Sequence, residues 1–420
     1  MPEEAKNAVV AATLKHHFSC WQIRVLSLFL LVCGCGAAFD GGASAQTWTT
    51  SNQLAHGTYG SPSALVQWQV GYYYSTIDGS QIYGMLCIPP TSRPGPYPIA
   101  ILNHGTNTNV PPPYAGIEPT GLNGCLLMAE AGWLTAISTY RGEYIAANIG
   151  ANVSPGSTNP SYLSGGQFEL CNHEVDDVLD LLSAVTSMPN ANGNQVFMWG
   201  HSHGACITER AIEKGAKVNV AVSIDGPTDL TTWVTQPPLS GPPLNLTLSD
   251  EQMRSSALNS PAAIGNVKFL RIQAEGDHIV TPDQACELAS KLSGSVNYYL
   301  YDYLSAGVGT PPGVYENASP PECTNFSLSW VNQWVHNKNS PPSWVLPDEA
   351  YGHNQPYPAP GPWPQTVLLV YGKVKQLPPG QIYHTWILEK AWPEYSSFVN
   401  AVATFGGWSA SIPPAFVSFE

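Results

Sequence analysis

Apolar residues along this chain gather into short unbroken runs that stop abruptly at glycines or polar turns. Pro98-Ile-Ala-Ile-Leu102 ends at Asn103-His104-Gly105, Leu134-Thr-Ala-Ile-Ser138 at Tyr140-Arg141-Gly142, and Val218-Asn-Val-Ala-Val-Ser-Ile224 at Asp225-Gly226-Pro227. Lys268-Phe-Leu-Arg-Ile272 leads to Gly276-Asp277, and Val296-Asn-Tyr-Tyr-Leu-Tyr301 closes the series. Such runs fit strands buried on both faces of a mostly parallel sheet. Ahead of them, two strand-like segments, 66–75 and 81–88, flank Asp78-Gly79, a hairpin signal.

Between the runs the period changes. Val175, Val178, Leu179, Leu182 and Val185 recur at helical spacing with Glu174, Asp176, Asp177 and Asp180 between them. This predicts an amphipathic helix with an acidic solvent face. Further helices are predicted over 205–212, 282–292 and 393–405. Strands alternating with helices predict an α/β fold built on a doubly wound, mostly parallel sheet. Two stretches interrupt the order. Residues 228–260, with their Pro-Pro pairs, suit a small cap segment. Residues 305–365 are dense in Pro, Gly and aromatics and form an insertion too long for an ordinary connection.

One run carries chemistry. Gln195-Val-Phe-Met-Trp-Gly200 stops at a glycine, turns through His201-Ser202-His203-Gly204 and continues as a predicted helix. A G-x-S-x-G string between a strand and a helix exposes the serine hydroxyl on a tight turn at the sheet's carboxyl end. A serine hydroxyl is a poor nucleophile at neutral pH and needs a base, with a third group to orient that base. Asp277, in a turn after a strand and before a helix, is the expected acid; Asp225, which also ends a strand, is the reserve. The expected base is His384, just ahead of the last helix, with His353 inside the insertion as the alternative. Two backbone N–H groups are expected to form the oxyanion hole, those of His203 and Thr106. The His104 ring is read as a loop support, and the His201 and His203 rings as packing groups.

Composition narrows the setting. The chain has 420 residues, with Lys plus Arg 16 against Asp plus Glu 30 and a formal charge of −14. No basic cluster stands out, which argues against nucleic acid as a partner. Lys6, Lys15 and Arg24 precede the apolar run 25–32, and Ala43-Ser44-Ala45 supplies small residues for cleavage. Residues 1–45 therefore read as a signal peptide and 46–420 as the catalytic domain. The destination is secreted or periplasmic, with no permanent membrane span after cleavage. Of the cysteines beyond residue 45, Cys87 and Cys206 sit inside predicted elements and read as buried thiols. Cys125, Cys171, Cys286 and Cys323 lie nearer loops and can pair in an oxidising compartment. No CxxC spacing points to a metal, and a serine triad requires no cofactor.

With these pieces in order, the chain resembles the α/β-hydrolases, and among them the dienelactone hydrolase and prolyl-oligopeptidase-like esterase branch. The resemblance rests on Asn103-His104-Gly105, Tyr140-Arg141-Gly142, Glu174-Val-Asp-Asp-Val178, Gly200-His-Ser-His-Gly204 and Ser260-Pro261 ahead of Gly276-Asp277. It implies Ser202 as nucleophile, Asp277 as acid and a C-terminal histidine as base. The insertion departs from the pattern by separating Asp277 from its histidine. The function expected is a serine hydrolase cleaving a small-molecule or polymer ester through an acyl-enzyme. A peptidase or amidase with the same triad, and an inactive hydrolase fold used for binding, are the alternatives. The substrate's acyl and alcohol parts and the oligomeric state are not legible in the sequence.

Overall fold

The computed structural model describes residues 46–51, 53–106, 113–146, 162–235, 262–274, 277, 279–280, 284–285, 287–288, 296–302, 367–373, 388, 392–413 and 415. The expected signal peptide, both candidate bases His384 and His353, the insertion 305–365, Cys286 and Cys323 lie outside them. So do the cap beyond residue 235 and most of the helix expected over 282–292.

A ten-stranded sheet organises the described residues, in the order β1-β2-β3-β6-β4-β9-β10-β11-β13-β12. β1 (His56–Tyr59), β2 (Val66–Tyr74) and β3 (Gln81–Ile88) form an antiparallel edge, and β3 pairs antiparallel with β6 (Leu134–Ser138). From β6 onward every pairing is parallel, through β4 (Tyr97–Asn103), β9 (Ala191–His201), β10 (Val220–Ile224), β11 (Lys268–Ala274), β13 (Val367–Lys373) and β12 (Val296–Asp302). The short strands β5 (Tyr114–Ile117), β7 (Glu143–Ile145) and β8 (Tyr162–Leu163) make a separate small sheet.

Both faces of the large sheet are covered, as continuous apolar runs require. In β4, Ala100 and Leu102 point into one apolar cluster while Ile99 and Ile101 point into the other. Helices α1 (Pro119–Glu130) and α4 (Trp392–Phe405) pack on the first face through Leu122, Leu126, Phe398 and Val399. Helices α2 (His173–Thr186) and α3 (His203–Glu213) cover the second through Val175, Val178, Ile207 and Ile212. The expected doubly wound α/β architecture is present.

Three details differ from expectation. First, the series of strands does not close at Val296–Asp302: a further strand, β13, lies between it and β11. Second, the acidic residues of α2 are not a solvated face. Asp177 takes a bidentate bond from Arg141, Asp180 accepts from the Thr76 amide at 2.7 Å, and Glu174 accepts the amides of Glu169, Leu170 and Asn172. Loop donors and one arginine from other elements cover these carboxylates, and helical periodicity reports nothing of them. Only Asp176 keeps to the outer side, bonded to Lys214. Third, Cys87 and Cys206 are not free thiols: the structure joins Cys87 to Cys125 and Cys171 to Cys206. The strand and the helix each bring a cysteine within bridging distance of a partner from a separate element, with Cα separations of 5.8 and 6.0 Å.

Candidate active site

Parallel pairing brings three strand ends together. Ile224 of β10 sits opposite His201 of β9 and Ile272 of β11, so Ser202 and Asp225 leave the sheet at neighbouring positions. Beyond β11, the Asp277 amide donates to the Ala274 carbonyl at 3.2 Å.

Ser202 occupies the turn between β9 and α3 with φ 54° and ψ −120°. A non-glycine residue held there costs on the order of 1–3 kcal/mol, which the surroundings must offset. Its amide donates to the Ile224 carbonyl at 2.9 Å, and its carbonyl accepts from Ala205 and Cys206 at 3.1 and 3.3 Å. The flanking glycines have a steric reason. A Cβ on Gly204 would fall on the Asn103 carbonyl, and one on Gly200 would fall on the carbonyl of Gly204. The start of α3 thus passes tightly under the end of β4. Ser202 itself is half-buried.

Two buried carboxyls stand on the β10–β11 side. Asp225 also has a positive φ, 46°, and its Oδ1 accepts the Ala274 amide at 2.8 Å. Burial first, and the neighbouring Asp277 second, push the Asp225 carboxyl well above the usual carboxylate range. Asp277 accepts the Ile279 and Val280 amides at 2.8 and 3.1 Å through Oδ1, which fixes its turn. Beneath the pair, fully buried Arg271 bonds Glu209 of α3 at 2.9 Å and the Gly226 carbonyl at 2.6 Å. Through these two bonds Arg271 of β11 ties α3 to the loop that carries Asp225. The first turn of the expected cap packs here too, through Leu230 and Trp233, and the Trp233 indole donates to the Ile279 carbonyl.

A different polar group stands on the β4 side. The Thr106 hydroxyl lies 2.8 Å from His203 Nδ1 and donates to Glu143 Oε1 at 2.8 Å. The Cys171 amide donates to His203 Nε2 at 3.1 Å, and Cys171 is disulfide-bonded to Cys206 of α3. Burial, aided by nearby His104, pushes the His203 ring down to about 3, so it is neutral. Burial likewise raises the Glu143 carboxyl well above its ordinary value, against the opposing bond from Thr106. Tyr140 stacks on His104 at 4.2 Å, and both ring nitrogens of His104 face carbonyl oxygens, of Gly105 at 2.8 Å and Ser138 at 2.9 Å.

The described structure therefore brings Ser202, His203 and Thr106 into one region and sets Asp225 and Asp277 on the flank beyond β10. Glu143, and the tie it makes through Thr106 to the His203 ring, are not singled out by the sequence. The one available signal is its position directly after Tyr140-Arg141-Gly142. Among the described residues no cluster of His, Cys, Asp or Glu is arranged to hold a metal, and no helix is long and apolar enough to cross a membrane.

The model of the prolyl oligopeptidase family matches residues 153–337, a stretch that contains Ser202, Asp225 and Asp277. No curated protein matches the chain significantly. Among solved structures, an acetyl xylan esterase from Paenibacillus sp. R4 is 15% identical, with 58% of this chain and 80% of that chain covered and a TM-score of 0.40. A rice cell wall degrading esterase, LipA from Xanthomonas oryzae, is 13% identical over 70% of this chain and 97% of that one, also at 0.40. A puromycin-hydrolyzing peptidase of Mycobacterium tuberculosis is 14% identical, with 59% and 41% covered and a TM-score of 0.37. Likeness at this level says nothing of substrate.

Proposed function

We propose that this chain, an α/β-hydrolase with a prolyl-oligopeptidase-type match over residues 153–337, is an exported serine esterase that works through an acyl-enzyme. The observation that carries the proposal is the strained turn at Ser202, set between β9 and α3 at the carboxyl end of a parallel sheet. In the proposed cycle the Ser202 oxygen attacks the ester carbonyl while its proton passes to His384. The C–O bond to the alcohol then breaks and that proton leaves with the alcohol. Water repeats the sequence on the acyl-enzyme, releasing the acid and restoring the serine. Asp277 orients the histidine and stabilises its imidazolium. The His203 and Thr106 amides receive the oxyanion.

Support for a base from the C-terminal segment is positional. Helix α4 follows His384 and packs against β10 and β11, the strands that end at Asp225 and lead to Asp277. An ester is the less demanding substrate, because an amide also needs its leaving amine protonated as the bond breaks. The family match favours keeping the peptidase as second reading, since that family is named for peptide cleavage. Export is supported by the charged, apolar and small residues of 1–45 and by the two disulfides, which persist in oxidising compartments.

Matched ester and amide substrates with the same acyl group decide the chemistry. The ester is expected to turn over with the amide at least about 100-fold slower in kcat/KM, a gap of some 2.7 kcal/mol in transition-state stabilisation. Equal rates would make the protein a peptidase or amidase. His384→Ala should abolish turnover at neutral pH while His353→Ala leaves most of it, and the reverse pattern would move the base into the insertion.

A further inference from the structure

We propose that the Thr106 hydroxyl and the Glu143 carboxyl are positioning residues for the oxyanion hole, coupling through the His203 ring the two chain segments whose amides receive the oxyanion. The inference rests on the proposed serine-hydrolase reading and deepens it. The two expected oxyanion amides come from remote segments: Thr106 lies after β4, and His203 opens α3. Their backbones already approach closely where Gly204 packs under Asn103 and His104. Here their side chains meet at 2.8 Å, Thr106 Oγ1 against His203 Nδ1.

The direction of every bond follows from donor chemistry. An amide N–H can only donate, so the Cys171 amide makes His203 Nε2 an acceptor. In a neutral ring the proton is then on Nδ1, which donates to Thr106 Oγ1. The hydroxyl hydrogen is thereby directed to Glu143 Oε1 at 2.8 Å. One order of donation results, from the Cys171 amide to the His203 ring to the Thr106 hydroxyl, ending on Glu143 Oε1 as acceptor. Both ends are anchored. Cys171 is held to α3 by its disulfide to Cys206, and Glu143 begins β7 with no exposure to solvent. The groups facing the chain are His104, whose Nε2 lies 3.6 Å from Glu143 Oε2, the Tyr140 and Phe168 rings beside His203, and the carboxyl of Glu174. A neutral Glu143 suits the task, because an anion beside the hole would oppose the charge developing there. The relay acts as a spacer that sets the distance between the two amides before substrate arrives.

Thr106→Val removes the hydroxyl while keeping the backbone N–H and nearly the same volume. The expected result is a fall in kcat of about 10- to 100-fold with KM changed less than about twofold, as for loss of transition-state preorganisation alone. Thr106→Ser should restore most of the rate. A phenylboronic acid, which forms a tetrahedral adduct with the serine, should lose affinity for Thr106→Val by a similar factor. Wild-type kcat in a folded Thr106→Val protein would overturn the inference. Failure of the underlying reading looks different: wild-type protein that takes no fluorophosphonate label removes Ser202 itself. Should Thr106→Val not fold, the wild-type protein still answers through its histidine ¹⁵N spectrum, with His203 assigned by its loss in His203→Gln. An Nδ1–H tautomer that does not titrate between about pH 5 and 9 supports the relay, and an Nε2–H ring or a titrating one overturns it.

Discussion

The two flanks of Ser202 are built on opposite electrostatic plans. Toward β4, the His203 ring and the Glu143 carboxyl are both driven to their neutral forms by burial and are joined through one hydroxyl. Toward β10 and β11, Asp225 and Asp277 set two carboxyls at adjacent strand ends above the Arg271–Glu209 ion pair. Acyl transfer by a serine demands this asymmetry. Negative charge grows on the carbonyl oxygen while positive charge grows on the base. A fixed anion at about 5 Å from the oxyanion would cost about 3 kcal/mol at an effective dielectric of about 20, and the same anion beside an imidazolium would stabilise it. Burial first, and repulsion from Asp277 second, push the Asp225 carboxyl toward its neutral form.

The largest expected effect tests the acidic flank. Asp277→Asn should lower turnover by about 10⁴-fold through loss of the charge and the wrong histidine tautomer. Asp225→Asn, which mimics a neutral acid and keeps its acceptor for the Ala274 amide, should change turnover by less than about tenfold. Kinetics on the two variants compare them directly, and an inverted order would exchange their roles. Next in size is stability. Arg271→Met strands Glu209 in the interior and should cost about 3–5 kcal/mol in denaturant unfolding, whereas Glu143→Gln, on the neutral flank, should cost less than about 1 kcal/mol. Similar losses for both would erase the distinction.

The smallest effect concerns Glu174, whose carboxyl burial raises to about 7 against the pull of its loop amides. A folded-state pKa above the unfolded one means stability present at low pH and lost as pH climbs from about 4.5 through 7. The loss should amount to about 3 kcal/mol across that window, with a slope near its middle of about 1.4 kcal/mol per pH unit, and should flatten in Glu174→Gln. Unfolding midpoints followed across that window report it, and an unchanged slope would show that the loop amides hold Glu174 ionised.

Much of the sheet was legible because strands buried on both faces leave unbroken apolar runs. Leu134–Ser138 matches its observed strand residue for residue, and the last helix differs from 393–405 by a single residue at its start. What escaped had no local signal. α1 carries Gly121 and Gly124, poor helix formers, and is stabilised by tertiary packing that buries both. Val367–Val370 is apolar enough for a strand, yet its place between β11 and β12 depends on pairing across distant segments. At the site, the G-x-S-x-G turn was readable because its glycines answer a local steric demand. The Thr106–His203–Glu143 relay was not, since it joins a loop, a helix start and a small-sheet strand. The disulfides were misjudged for the same reason: a cysteine's partner is set by folding, whatever element carries it.

The central claim is that Ser202 is the nucleophile. Labelling with a fluorophosphonate, followed by mass-spectrometric mapping of the modified peptide, tests it most directly. The modification is expected on the peptide containing Gly200-His-Ser-His-Gly204, with labelling and ester turnover abolished in a folded Ser202→Ala variant. Modification of another serine, or undiminished labelling of Ser202→Ala, would contradict it.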